Sequence, residues 1–357
     1  MNHKRLYELM SGDAKGLGAS AARLGLSALA PGYRLAVAIR NRMFDLGLKK
    51  TVHLNRPVIS IGNLTTGGTG KTPMVIELVR RLIEQGQRPA VLLRGYMAGA
   101  DGPSDEAIEL SHELGSAVPV EANPDRAQGA KRVLAEHPET TVFLLDDGFQ
   151  HRRVHRDLNI VLIDATRPFG FGHLLPRGLL REPIRNLNRA DAVILTRCDP
   201  SANPGNAEMD KRIETITGRP PIAHTNFTWS GYRNESETFD VTHLKAKKVV
   251  GACAIGNPTA FMVMLANAGE LLAVHQFDDH HSYTETEVHK LLIDAASQGA
   301  DAVVVTEKDW VKWRPMIKGL PTEGLPPVIR PKLGTRFLDG AEAVESLLKR
   351  ALQPHSD

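Results

Sequence analysis

The residues GNLTTGGTGKTP, Gly62 to Pro73, constrain this chain more than any other stretch. They sit between an apolar run, PVISIG, that reads as a strand and a segment whose Val75, Val79, Leu82 and Ile83 share one helical face. A glycine-rich turn in that setting points backbone N–H groups into one concavity, where the following helix N-terminus also favours negative charge. Lys71 then supplies a cation for terminal phosphates and Thr72 a hydroxyl for magnesium. Pro73 fills a first-turn position, where a missing N–H costs little. The strict pattern G-x-x-x-x-G-K-[ST] asks for glycine at 65, and the chain has Thr65. Threonine is compatible with that corner wherever φ and ψ are ordinary. The cradle expected from the sequence is therefore Thr65, Thr66, Gly67, Gly68, Thr69, Gly70, Lys71 and Thr72.

Downstream, PAVLLRG, TVFLLDDG, NIVLIDA and DAVILTR are continuous apolar runs separated by helical or loop segments. Such runs indicate a parallel sheet covered on both faces. TVFLLDDG ends in Asp146-Asp147, and a carboxylate at the end of a neighbouring strand is placed to hold magnesium directly or through water. The region 200–245 is polar and turn-rich. A second α/β pattern follows, with strands KVVGACAIG, ELLAVHQF and DAVVVTEKD, helices from Pro258 and Thr286, and a last helix near 337–352. TEKD reads as a helix N-terminus without a catalytic role. The expected fold is α/β: a P-loop NTPase-type, mostly parallel sheet with helices on both faces, a smaller C-terminal α/β domain and a basic helical leader. The expected boundaries are 1–50 for the leader, 51–240 for the nucleotide domain and 241–357 for a domain closing over the active site.

Net charge is only +3, which gives no support to a nucleic-acid partner. The charge is uneven, however: residues 1–50 carry +6 and the rest −3. A basic leader on an acidic body points to an anionic surface, with a membrane the obvious one. The leader reads as helix, break at Pro31-Gly32, helix, with Leu35, Ile39, Met43 and Leu46 at helical spacing among Arg34, Arg40 and Arg42. Such a helix either lies in a membrane interface or packs on the main domain with its basic face solvated. No apolar h-region is visible at the start, and the longest uncharged run in the leader, Leu24 to Tyr33, is about half of the ~20 residues a span needs. Two cysteines, Cys198 and Cys253, outside any C-x-x-C, favour a reducing compartment over a disulfide or zinc framework.

Several stretches then occur together in a telling order: ISIGNLTTGGTGKTP, RGY, SDE, DDGFQHRR, IDATRPFGFGHLLPRGLLREP, AIGNPTAF, FDDHHSYT and VVTEKDWVK. In that order they resemble tetraacyldisaccharide 4'-kinase, the lipid A 4'-kinase, and RNRMFDLGL resembles that family's N-terminal segment. The resemblance spans roughly residues 34–315 and is most specific where DDGFQH combines with FGxGxLLPxGxLRE. The family's loop also lacks the first glycine, so Thr65 is a family trait. The resemblance implies transfer of the γ-phosphoryl group of ATP, with Mg2+, to the 4'-hydroxyl of a tetraacyldisaccharide 1-phosphate. It further implies an enzyme at the cytoplasmic face of a Gram-negative inner membrane; the expected state is a monomer, although the sequence does not give the oligomeric state. Residue by residue, it makes Lys71 and Arg181 catalytic cations, and Asp105 the catalytic aspartate paired with His280. It gives metal-side roles to Thr72, Asp146, Asp147 and Glu182, and active-site support to Arg126, Gln150 and Asp279. The chain departs from the family at Ser104 and Ala107, where GDEP is usual, and at Asp278, where proline is usual. His281 beside His280 leaves the choice of dyad histidine open.

Two other readings compete. A regulatory GTPase or metallochaperone-type NTPase also uses GGxGKT, and ILTRCD faintly resembles a guanine-reading motif with Arg197 in place of lysine. A non-catalytic membrane protein holding ATP as a structural ligand is the second. It sits poorly with Asp146, Asp147 and Glu182 beside an intact Lys71-Thr72.

Overall fold

The structure is a computed structural model and describes residues 3–95, 105–198, 203–255, 258–278, 281–321 and 323–353. They fall into two compact units, Met1–Asn226 with Thr335–Asp357, and Phe227–Gly334. The first begins with α1 (His3–Ser11) and α2 (Leu17–Asp45). It continues through β1 (Val58–Asn63), α3 (Lys71–Glu84), β2 (Pro89–Leu93), α4 (Asp105–Leu114), β3 (Val120–Ala122), α5 (Arg126–Glu136) and β4 (Val142–Asp146). Then come β5 (Leu158–Asp164), β6 (Ala192–Thr196), α6 (Asn203–Thr217) and β7 (Ala223–Arg233), within which the chain passes to the second unit. The strands of the first unit run parallel in the order β7-β6-β5-β1-β4-β2-β3.

Every residue of β1, β2, β4, β5 and β6 is buried. Helices cover both faces of these strands, which is why their sequences are continuous apolar runs rather than alternating ones. From β1 the chain crosses to β2 on one side, while β5 lies on the other. The carboxyl end of β1 is thus a topological switch point, where open α/β sheets form their ligand crevice. Ile61 of β1 is in register with Asp146 of β4, so the glycine-rich loop and the acidic pair leave the sheet side by side.

The second unit contains β8 (Thr238–Phe239), β9 (Lys248–Cys253), α7 (Pro258–Ala268), β10 (Glu270–Gln276), α8 (Glu285–Ser297), β11 (Ala302–Val305) and α9 (Glu307–Ile317). Its parallel strands run β10-β9-β11-β12, where β12 is Val328–Asp339. A capping box of Thr284 and Glu287 starts α8, and Thr306 caps α9, so TEKD is a helix N-terminus. Tyr283, Val288, Leu292, Trp310 and Trp313 lie in its core. The last helix, α10 (Ala341–Ala351), belongs to the first unit.

Three segments differ from the sequence reading. Pro31 does not break the leader: α2 runs through it as one helix. Pro31 forfeits one backbone hydrogen bond, but both flanks are tied down, Arg23 to the Ala14 carbonyl and Tyr33 to the Arg181 carbonyl. The turn-rich region 200–245 contains α6 and the long strand β7, whose polar residues alternate with buried ones. Residues 335–357, which the sequence grouped with 241–334, join the first unit because Val344 and Leu348 of α10 lie in one core with Ile59 and Leu82. Both cysteines are buried free thiols, and burial pushes each up to about 11.

Gly62 is the next-to-last residue of β1, and a Cβ there would lie 2.6 Å from both Cβ and N of Phe149, itself fully buried. Gly62→Ala is expected to destabilise the protein by about 1–3 kcal/mol through over-packing. Urea unfolding checks this, and an unchanged midpoint would show that the two segments separate freely.

Candidate active site

The loop after β1 is built from two kinds of residue. Gly67 and Gly70 have φ of +110° and +85°, a region that residues with a Cβ rarely enter, and Gly70 caps α3. A Cβ at Gly67 or Gly68 would meet nothing within 4 Å, so the loop is open on that side. Thr65 needs no such freedom. It forms an antiparallel bridge with Leu180, which is extended backbone, and it is buried. The Thr66 N–H donates to the Leu179 carbonyl at 2.7 Å and the Arg181 N–H to the Leu64 carbonyl at 2.8 Å. Residues 179–181 therefore zip onto the first corner of the loop and do there what the missing glycine would leave to the loop alone.

Asn63 holds the rest in shape. Its amide donates to Thr69 Oγ1 at 2.9 Å, its carbonyl accepts from Gln150 Nε2 at 2.8 Å, and its side-chain oxygen accepts from the Arg181 guanidinium. On the other side, the Thr196 hydroxyl at the end of β6 donates to the Thr69 carbonyl at 2.9 Å. The loop is thus pinned from β1, from β6 and from residues 179–181.

Asp147 is the electrostatic centre. Its φ of +52° turns the carboxylate back, and Arg181 forks onto it with two hydrogen bonds of 2.7 Å. Lys71 Nζ is 3.6 Å away. Burial would raise its pKa; the Arg181 hydrogen bonds and the Lys71 charge outweigh that and hold it at about 2. Asp146 is buried at the end of β4. Buried Arg126 feels both carboxylates, while burial and the neighbouring Arg94 push it down to about 10. Its neighbour His151 is pushed down to about 4 by burial and by the Arg126 and Arg156 charges.

The structure thus brings together the loop, Lys71, Asp146, Asp147, Arg181, Arg126 and Gln150. Asp105 is the first residue of α4, and its side chain lies outside the described residues, as do Asp279 and His280. Glu182, expected on the metal side, is held by donors of this chain. It is fully buried, and its carboxylate accepts from Arg40 at 2.6 Å, Asn41 at 3.1 Å, Asn186 at 2.7 Å and Arg189 at 2.5 Å. Three of these donors meet Oε2, and Arg40 alone meets Oε1. Thr72, Asp146 and Asp147 offer oxygen donors for magnesium beside the loop. Among the described residues no group of three or more His, Cys, Asp or Glu could cage a metal. A magnesium shared with phosphate oxygens and water needs only one or two carboxylates from the protein. Arg197, the residue at the guanine-motif position, is paired with Asp164. Sequence reasoning missed Asn63, Thr196, Tyr33, Arg40 and Asn41; only Asn63, adjoining the loop, offered a signal.

The description "Tetraacyldisaccharide-1-P 4'-kinase" belongs to the family model that matches residues 22–352. The chain belongs to the tetraacyldisaccharide 4'-kinase family. A tetraacyldisaccharide 4'-kinase of Geobacter metallireducens is 37% identical over 83% of this chain and 90% of its own length. One from Anaeromyxobacter sp. strain K is 36% identical over 94% of this chain and 92% of its own. The crystal structure of LpxK from Aquifex aeolicus in complex with ATP superposes with a TM-score of 0.70 at 27% identity, covering 93% of this chain and all of that one. The protein is accordingly an ATP-dependent lipid kinase that phosphorylates the 4'-hydroxyl of a tetraacyldisaccharide 1-phosphate in lipid A biosynthesis.

The geometry supports that chemistry. Phosphoryl transfer is catalysed mainly by positioning and by charge, and magnesium, when bound, neutralises the β- and γ-phosphates. Lys71 and Arg181 both rest on Asp147, so two cations are held ready beside the loop. Lys71→Ala is expected to lower turnover by about a hundredfold or more. Near-normal turnover in a labelled-ATP assay would make the loop a structural turn.

His151 gives a pH prediction. Its folded pKa of about 4 lies below the ordinary 6.5. Between those values the unfolded chain binds a proton that the folded one does not, so this group removes stability as pH falls from about 6.5 to about 4. His224 is shifted up, although burial opposes it, because Asp210 and Asp339 hydrogen-bond it; it acts oppositely, contributing stability that is lost as pH rises through its folded pKa. His151→Gln should therefore lessen the drop in melting temperature between pH 7 and 5. An unchanged drop would place the acid sensitivity elsewhere.

Proposed function

We propose that the kinase works as a monomer docked on the cytoplasmic face of a bacterial inner membrane, with its leader lying in the interface. One observation carries this reading. Of the fourteen exposed large hydrophobic side chains among the described residues, seven fall between residues 17 and 48: Leu17, Leu24, Leu29, Leu35, Ile39, Leu46 and Leu48. They share that stretch with Arg34 and Arg42, both exposed. No described helix is long and apolar enough to cross a membrane, so the expected mode is an amphipathic helix in the interface plane. Exposed leucines beside arginines fit acyl chains below and anionic headgroups around them.

Within the site, Lys71 and Arg181 take the charge of the transferred group, with magnesium on Thr72 and the Asp146-Asp147 pair. Asp105 accepts the proton of the 4'-hydroxyl, with His280 orienting it, as the family resemblance implies. A sugar hydroxyl is a weak nucleophile, and such a base contributes typically 10²–10⁴-fold. Two experiments test the proposal. Labelled ATP, magnesium and tetraacyldisaccharide 1-phosphate should yield a bisphosphorylated lipid, and Asp105→Ala should suppress it while ATP still binds. Removal of residues 1–50 should weaken binding to anionic vesicles more at low salt than at high salt, at roughly 1 kcal/mol per basic residue near the surface. Equal vesicle binding by the truncated protein would place the membrane contact elsewhere.

A further inference from the structure

We propose that α2 is a working part of the nucleotide site: Tyr33, Arg40 and Asn41 clamp the Arg181-Glu182 pair, and Glu182 is the positioning residue through which the leader aims Arg181. The inference rests on Arg181 acting on the transferred phosphoryl group. Arg181 is fixed at three points before its side chain begins. Its N–H donates to Leu64 at 2.8 Å, its carbonyl accepts from the Tyr33 hydroxyl at 3.0 Å, and the next side chain, Glu182, is anchored by Arg40 and Asn41. The guanidinium then reaches Asp147 and Asn63.

Two of the three fixings come from one helix. Tyr33 and Arg40 are seven residues apart, two turns along the same face of α2, and residues 181–182 lie across that face. Glu182 has no exposure to solvent, yet it binds two guanidinium groups, Arg40 and Arg189. A buried ion pair of this kind contributes little net stability compared with apolar packing; what it fixes is geometry. Without α2, Glu182 would keep Arg189 and Asn186, but the 181 carbonyl would lose its donor and the peptide would be held from one side only. Rigid placement of a cation matters here, because displacement by about 1 Å can cost on the order of a hundredfold in rate. The helix carrying the exposed leucines is thereby also the helix that seats an active-site arginine, so attachment and catalysis share one element.

The test uses the full-length protein with detergent-solubilised lipid acceptor, where turnover does not depend on vesicle binding. Arg40→Ala is expected to lower kcat roughly tenfold with the KM for ATP nearly unchanged, since a cation is misplaced rather than removed. Arg40→Lys should recover part of the loss. Tyr33→Phe deletes one hydroxyl, leaves the packing in place, and should lower kcat about two- to threefold without changing vesicle binding. The Arg40→Ala, Arg181→Ala double variant should be no slower than Arg181→Ala alone, because Arg40 acts only through Arg181. Wild-type kcat in both Arg40→Ala and Tyr33→Phe, or losses that multiply in the double variant, would overturn the clamp. Wild-type kcat in Arg181→Ala would instead overturn the role of Arg181 on which the clamp rests. Melting temperatures separate these outcomes from unfolding, and a vesicle-binding loss without a kcat loss would reduce α2 to an anchor.

Discussion

The forked ion pair between Arg181 and Asp147 is the contact on which the site depends. It joins residues that the fold brings from different places, the end of β4 and the segment after the turn at Pro168–Gly172. It also decides the state of Asp147. A carboxylate this close to two cations remains ionised throughout the neutral range, so its charge is a fixed feature of the site and not a variable one. The arrangement thus presents an incoming polyphosphate with cations that are already oriented and only partly neutralised.

That pair can form because the sheet places its partners first. Parallel pairing of β1 with β4 sets Ile61 beside Asp146, and the close approach of Gly62 to Phe149 seats the turn after β4 against the base of the loop. Gly170, with φ +51°, allows a second close approach: a Cβ there would lie 2.7 Å from Leu179 and 2.9 Å from Thr65. The zipper between 64–66 and 179–181 then replaces the loop's usual first glycine with a strand-like edge. An altered motif and a neighbouring segment are two halves of one solution: once the first corner is extended and bridged, glycine has no advantage there.

Most of the first unit was legible in the sequence, because its strands are buried on both faces and so appear as unbroken apolar runs. The P-loop was legible for a different reason: its positive φ values demand glycine, and its chemistry demands lysine and a hydroxyl next to it. What stayed hidden depends on distance along the chain. Nothing in the sequence around Glu182 says that its carboxylate accepts from four donors, two of them from α2. Tyr33, Arg40 and Asn41 look like the face of an ordinary basic helix, since nothing local says that residues more than 140 positions away accept from them. The continuity of α2 through Pro31 was hidden for the same reason: the anchors that offset the lost hydrogen bond are tertiary. β7 was obscured by polar residues that a strand tolerates on its solvated side.

The burial of both thiols has a practical consequence. Cys198 and Cys253 are the whole cysteine complement of the chain, each is closed off from solvent, and each is shifted up to about 11. Thiolate, not thiol, attacks alkylating reagents, so at neutral pH the folded protein is nearly silent to maleimides. A cysteine introduced at an outward position of α2, such as Leu35, would then be the single reactive handle on the molecule. A polarity-sensitive dye attached there would report how deep the leader sits and how it tilts, against a background that the fold itself has already cleared.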